Sequence, residues 1–300
     1  MTKGISVHVG VNRVDAPGIN VPNLKGCEND AIAMHEIAVA NGFNAKEALL
    51  SEDATFDRVV AEIEEASAQL EDGDIFLCTF SGHGTRRGTN DLQETDFKDE
   101  SIVLHDRILI DNMFRRVLWP KFKQGVRIFA VSDSCHSEGV FFVPADTEAS
   151  ESQPVAPLGT AAGVATSPAL SSPSDHVTPR DRVIPGDRVI PEHQKELHFE
   201  LLKEFYEKLR ATIPSQPPPI NASLLLLGAC REHEQAKDGL PHGVFTQALL
   251  DVLTQQNPAD YNVLVTAIQQ KLVGVVPQHP VLTPFPPPNA AFLAQRPFSI

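Results

Sequence analysis

Two stretches decide the fold: Ile75-Phe76-Leu77-Cys78-Thr79-Phe80, running into Ser81-Gly82-His83-Gly84, and Val126-Arg127-Ile128-Phe129-Ala130-Val131, leading to Asp133-Ser134-Cys135-His136-Ser137. Each begins as a short apolar run rich in β-branched or aromatic residues. The first is entered through Asp72-Gly73-Asp74 and the second through Gln124-Gly125, a pattern that favours buried strands over helices. In an open parallel α/β sheet, ligands bind beyond the carboxyl ends of the strands. The sequence therefore sets one His and one Cys at the same edge of a sheet.

Working outward, residues 5–11 alternate as a first strand. Residues 29–40 carry Ala31, Ile32, Met34, His35, Ile37 and Ala38 at helical spacing and stop at Asn41-Gly42. Helices are also expected over 54–70 and 111–118. The β-α-β order leaves crossovers long enough for parallel pairing. Residues 144–191 are rich in Pro, Ser, Ala, Thr and Gly with no sustained period, and read as a mobile linker or loosely docked loops. Inside them Asp181-Arg182-Val183-Ile184-Pro185 recurs as Asp187-Arg188-Val189-Ile190-Pro191, too few copies for a solenoid. Order resumes with a charged amphipathic helix over 192–210, the strand Ser223-Leu224-Leu225-Leu226-Leu227, and helices over 243–254 and 261–273. The expected organisation is a larger part (1–143), a linker (144–191) and a smaller part (192–300).

At 300 residues the chain is long enough for a sizeable core. A net charge of -14, from 39 acidic and 25 basic residues, disfavours nucleic-acid partners; most of those charges serve solubility. No apolar run is long enough to span a membrane, and Met1-Thr2-Lys3-Gly4 leads into a strand rather than a signal peptide. A soluble, cytoplasmic protein is expected. The cysteines Cys27, Cys78, Cys135 and Cys230 form no CxxC pair. Cys78 and Cys230 lie in or beside apolar runs, whereas Cys27 and Cys135 stand in polar contexts.

A thiolate attacks a carbonyl far better than a thiol, so a Cys nucleophile needs an imidazole to take its proton and return it to the leaving amine. Cys135 and His83 suit those roles. The backbone N–H groups of Gly84 and Cys135 are candidate donors to a developing oxyanion. His136 is a rival base, but neighbours in extended chain point to opposite faces. The alternative is that both motifs are merely turns; their pairing and common edge argue against it.

The paired motifs resemble the caspase-fold cysteine peptidases, specifically the metacaspase and bacterial orthocaspase branch. The QAC[RQG]G signature of true caspases is absent. Leu24-Lys25-Gly26-Cys27-Glu28-Asn29-Asp30-Ala31, Leu227-Gly228-Ala229-Cys230-Arg231 with Gln235, and His242-Gly243-Val244-Phe245-Thr246 resemble further segments of that family. The resemblance implies an α/β caspase-like (caspase-hemoglobinase) fold, with a mostly parallel central sheet flanked by helices and shared by the large and small parts. It also implies an acidic specificity pocket for Arg or Lys, at positions matching Cys27, Asp30, Ser81 and Asp133. A buried carboxylate pairs well with a guanidinium, which can bind bidentately. Asp30 reads equally well as a helix N-terminal acid, and Cys27 as loop packing.

Glu138 stands where the family usually has Gly; its carboxylate either raises the Cys135 thiol pKa or faces solvent. The acidic stretch 91–106 resembles a region where many metacaspases bind calcium. With Asp96, Asp99, Glu100 and Asp111 as weak candidates, the oxygen set looks incomplete. No cofactor is expected to be required, with calcium as the lesser option. Arg180, Arg182 and Arg188 stand in exposed-looking, Pro-flanked sequence as candidate self-processing sites. The expected function is a cysteine endopeptidase that acts after Arg, less often Lys, through an acyl-enzyme. Its partners would be protein or peptide substrates, with a monomer slightly favoured and no nucleic acid or membrane. The alternatives are a catalytically silent caspase-like scaffold, a different thiol hydrolase, or an Asp-specific peptidase.

Overall fold

The computed structural model describes residues 2–85, 101–135, 186–231, 234–285 and 287–300. Strand β1 (Gly4–Gly10), β4 (Ile75–Ser81), β7 (Arg127–Asp133) and β8 (Ser223–Gly228) lie side by side and parallel in one sheet. The short β2 (Asn44–Ala45) and β3 (Leu49–Leu50) pair with β1 at one edge. Antiparallel β9 (Val281–Pro284) closes the other. Strand β8, from the C-terminal part of the sequence, thus joins the sheet begun by the N-terminal part, and the larger and smaller parts share it.

The two-residue period of the strands sorts their side chains to two faces. Phe76, Cys78 and Phe80 of β4, Ile128 and Ala130 of β7, and Leu224 and Leu226 of β8 belong to one buried cluster. It includes Phe56, Val59 and Ile63 of α2 (Phe56–Gln69). Ile75, Leu77, Phe129, Val131, Leu225 and Leu227 belong to the other, with Met34 and Ala38 of α1 (Cys27–Ala40) and residues of α6 (Val244–Gln255) and α7 (Tyr261–Leu272). Because both faces are covered, the strands read as unbroken apolar runs rather than alternating ones.

Three expectations need correction. The helix expected over 192–210 is two, α4 (Glu192–Leu201) and α5 (Lys203–Thr212), separated at Leu202, whose backbone (φ -107°, ψ 25°) leaves the helical range. The turn lets His198 Nε2 meet the Tyr206 hydroxyl at 2.8 Å, and that hydroxyl donates to the Ile108 carbonyl at 2.9 Å. At the end of the stretch read as polar and acidic, β5 (Ser101–Val103) is buried and pairs with β6 (Ile108–Ile110), just beyond it, as a second, two-stranded sheet. It leads into the short helix α3 (Asp111–Met113), which continues as a π-helical turn to Leu118. Cys27, read as standing in a polar context, is fully buried where α1 begins. No described helix is long and apolar enough to cross a membrane.

His8, at the centre of β1, is fully buried. Its Nδ1 lies 2.8 Å from Thr79 Oγ1 and its Nε2 2.9 Å from Ser6 Oγ. Burial first, and His35 second, push its pKa down to about 3. The unfolded chain protonates this side chain near the ordinary value of about 6.5, whereas the folded chain holds it neutral. Stability is therefore intact above that value and falls as the pH drops towards 3, by about 2 kcal/mol at pH 5 for this residue alone. Denaturant unfolding at pH 7 and pH 5 should show that His8→Gln removes about this much of the difference; an unchanged difference would contradict it.

Candidate active site

Strands β4 and β7 are paired with Ser81 opposite Asp133, so both end level at the same edge. The loops that leave them carry His83 and Cys135, and the edge read from sequence is the edge these residues occupy. Gly82 N–H donates to the Asp133 carbonyl at 3.3 Å, tying the loops together. At Gly84 a Cβ would lie 2.5 Å from the Cys135 carbonyl oxygen, so only glycine permits this approach.

His83 is 1% exposed. Its Nε2 lies 3.3 Å from the Pro22 carbonyl oxygen, which can only accept, so Nε2 carries the proton and Nδ1 is the basic nitrogen. Nδ1 is buried and has no hydrogen-bond partner among the described residues. Burial lowers the His83 pKa to about 4 against the pull of the Pro22 carbonyl. Cys135 is fully buried, and its Sγ donates to the Ala236 carbonyl at 3.6 Å rather than to His83. Burial, followed by the neighbouring Cys230, pushes its thiol well above the ordinary range. Both groups are neutral in this arrangement.

The third partner at this edge is Arg188. Sequence placed it in an exposed-looking linker; instead it is fully buried, the principal correction to the sequence reading. Its carbonyl oxygen accepts from Gly84 N–H at 2.8 Å and Cys135 N–H at 3.3 Å, the two amides singled out as oxyanion donors. Its Nη1 donates to Ser81 Oγ and to the Asp133 carbonyl, both at 2.8 Å, and lies 2.9 Å from Asp133 Oδ1. Its Nη2 donates to Asp30 Oδ2 at 2.9 Å and to Asp238 Oδ1 at 3.1 Å. Ser81 Oγ also donates to Asp30 at 2.7 Å. Burial alone would lower the Arg188 pKa, but Asp133, Asp30 and Asp238 more than offset it, so the guanidinium stays charged. Cys27 forms a neutral wall, its thiol pushed up by burial.

The carboxylates are held independently of Arg188. Asp30 Oδ1 accepts from Gly243 N–H at 3.1 Å and lies 3.1 Å from His242 Nδ1. Asp133 Oδ2 accepts from the Thr246 hydroxyl at 2.7 Å and its N–H at 3.2 Å. Asp238 accepts from the amides of Lys25 at 2.8 Å and Gly26 at 3.1 Å. Burial pushes the Asp133 carboxyl up to about 6, against the pull of Arg188. Asp30 is held low because His242, Arg188 and Ser81 outweigh its burial. Gly243 leaves room for the guanidinium, since a Cβ there would lie 2.3 Å from Arg188 Nη2.

Cys27, Asp30, Ser81 and Asp133 are therefore gathered around one basic side chain, and Asp30 is also in the first turn of α1. Sequence reasoning missed Asp238, Pro22, Ala236 and Thr246; of these only Thr246 lay in a quoted motif. His136, Glu138, Arg180, Arg182, Asp96, Asp99 and Glu100 lie outside the described residues. Asp111 is buried, its Oδ1 accepting from the Asn112 amide at 2.6 Å. Among the described residues no three His, Cys, Asp or Glu side chains cluster as a metal site.

Residues 4–286 match the family described as Caspase domain. Metacaspase-8 of Arabidopsis thaliana is 31% identical over 137 residues, which cover 41% of this chain and 36% of that protein. The chain therefore matches little more than a third of that relative's length. The crystal structure of protein GSU0716 from Geobacter sulfurreducens superposes with a TM-score of 0.76 at 29% identity, covering 99% of both chains. Caspase-1 from Spodoptera frugiperda shares the fold at a TM-score of 0.50 and 12% identity, covering 94% of this chain and 86% of that one. A match over nearly the whole chain, on a sheet edge that gathers His83, Cys135 and an acidic pocket, places this protein in the caspase-domain family.

Proposed function

We propose that this protein is a cysteine endopeptidase that cleaves after Arg, and less readily after Lys, and that the Arg188–Val189 bond of its own linker is a substrate. One observation carries the reading: a single residue has its guanidinium among three carboxylates and its carbonyl on the amides of Gly84 and Cys135. That is how a scissile arginine is held for attack, with donors fixed where negative charge develops. Lysine has fewer donors and no planar fork, so it satisfies fewer of the three acids.

In the proposed reaction the Cys135 thiol turns from the Ala236 carbonyl towards His83. Nδ1 takes the proton, and Sγ attacks the Arg188 carbonyl carbon. The oxyanion collapses to an acyl-enzyme as the Val189 nitrogen leaves with the proton from His83, and water then hydrolyses the thioester. Pro22 holds the imidazole in the required tautomer throughout. The chemistry needs no cofactor.

Incubating the wild type should yield a fragment whose new N-terminus is Val189. Cys135→Ala should yield none, and His83→Ala should slow its formation by about 10²-fold or more. Loss of Arg188 should move or abolish the cut. An identical fragment from Cys135→Ala would refute self-processing, and failure of the processed chain to turn over Arg peptides would favour a silent scaffold.

The pocket should also behave as a guanidinium site in its own right. In a Cys135→Ala background, Arg188→Ala leaves three acids facing an empty pocket and should cost about 3 kcal/mol in thermal or denaturant unfolding. Agmatine, which carries a free guanidinium, should restore part of that loss, and n-butylamine much less. Equal effects of the two amines would argue against recognition by the carboxylates.

A further inference from the structure

The segment around Arg188 is bound by more than its arginine. Arg188 N–H donates to the Ala236 carbonyl at 3.2 Å and Asp238 N–H to the Gly186 carbonyl at 2.8 Å, so residues 186–188 add an antiparallel strand to 236–238. These backbone bonds accept any sequence; discrimination falls to the side chains. Asp187 stands directly opposite Lys237, and its carboxylate, wholly buried, is bound by Lys237 Nζ. On the other side of the bond, Ile190 N–H donates to the Gly84 carbonyl at 3.2 Å, and Val189 and Ile190 are 4% and 2% exposed. Val189 belongs to the buried cluster that holds Cys135 and Ala236, and Ile190 to the cluster on the opposite face.

We infer that the groove reads an Asp-Arg-Val-Ile string rather than a lone basic residue, with Lys237 as the specificity residue for the acid preceding the arginine. This rests on the peptidase reading above and narrows its substrates to segments with an acidic residue before Arg and β-branched apolar residues after it. Coulomb's law gives Lys237 its weight. A cross-strand pair of opposite charge, with one member fully desolvated, discriminates against a like charge far more than an exposed pair does. The sequence supplies an independent argument: the same five residues, Asp-Arg-Val-Ile-Pro, stand at 181–185 and again at 187–191. A linker needing only an arginine has no reason to repeat its neighbours.

The test uses the full chain carrying Arg182→Ala and Arg188→Ala, so that neither internal copy competes, and quenched-fluorescence hexapeptides Gly-X-Arg-Val-Ile-Pro with X as Asp, Ala or Lys. With Lys237 present, the Asp peptide should exceed the Lys peptide about tenfold in kcat/KM. Adding Lys237→Met should flatten the series, and adding Lys237→Glu should invert it, while the Ala peptide changes less than about twofold. That last readout separates lost recognition from a damaged fold. Replacing Val-Ile by Ser-Ser in the Asp peptide should lower kcat/KM several-fold. An unchanged ranking in Lys237→Glu, or equal cleavage of all three peptides by the parent, overturns the inference and leaves the peptidase reading standing. Cleavage of none of them, either by this chain or by wild type already cut after Arg188, removes the peptidase reading itself.

Discussion

A fully buried guanidinium facing three carboxylates is the interaction on which the rest of the site depends. Taking an arginine and three acids out of water costs several kcal/mol per ion, and their mutual attraction recovers this only when the remaining polar atoms are also satisfied. Here the amides of Gly243, Thr246, Lys25 and Gly26 and the hydroxyls of Ser81 and Thr246 bind the carboxylates, while Arg188 Nε is left without a hydrogen bond among the described residues. Because those donors belong to the fold and not to the linker, the pocket stays preorganised when its occupant leaves. It keeps an excess of negative charge that only a cation can neutralise. The same bonds hold the loop before α1 to the loops around Asp238 and Gly243.

What brings these groups together is strand register. Ser81 and Asp133 are side by side because β4 and β7 pair in parallel from Ile75 opposite Arg127 onward. A slip of one residue would send every side chain of β7 to the other face. This part was legible in the sequence: the apolar runs fixed the strands, and the polar residues after them fixed the edge. The pocket positions Asp30, Ser81 and Asp133 came from motif resemblance, because nothing in a one-dimensional pattern brings the first turn of α1 to the ends of β4 and β7. Asp238 and Lys237 carried no signal at all. They lie in a loop with neither period nor motif, and their roles appear only when the chain that pairs with that loop is in view.

Arg188 was misread for a related reason. Low complexity and nearby prolines describe a segment that cannot build a core of its own, and residues 186–190 indeed do not build one. They borrow one instead: a groove with free backbone donors and acceptors, an acidic pocket, and two apolar clusters ready for Val189 and Ile190. Local composition measures what a segment can bury by itself, and is blind to what a preformed surface offers it.

The occupied groove also bears on how the proposed activity would be held back. A segment tethered to its own site acts at an effective concentration of millimolar or more, so a free peptide of equal affinity competes poorly while the tether is intact. With the segment in place both proposed reacting groups are buried, the His83 imidazole with a pKa of about 4 and the Cys135 thiol well above its ordinary range. Neither group favours the ion pair that makes a thiolate at neutral pH. On the proposed reading, the bound strand would therefore suppress the nucleophile it faces. The proposed first cut would then be limited by how readily Cys135 leaves the Ala236 carbonyl for Nδ1 of His83, a rotation within a fully buried site. Were Arg188 released, water would enter the pocket and relieve the desolvation that raised one pKa and lowered the other. On these grounds the free groove would be the more reactive state, and the linker both its first substrate and its restraint.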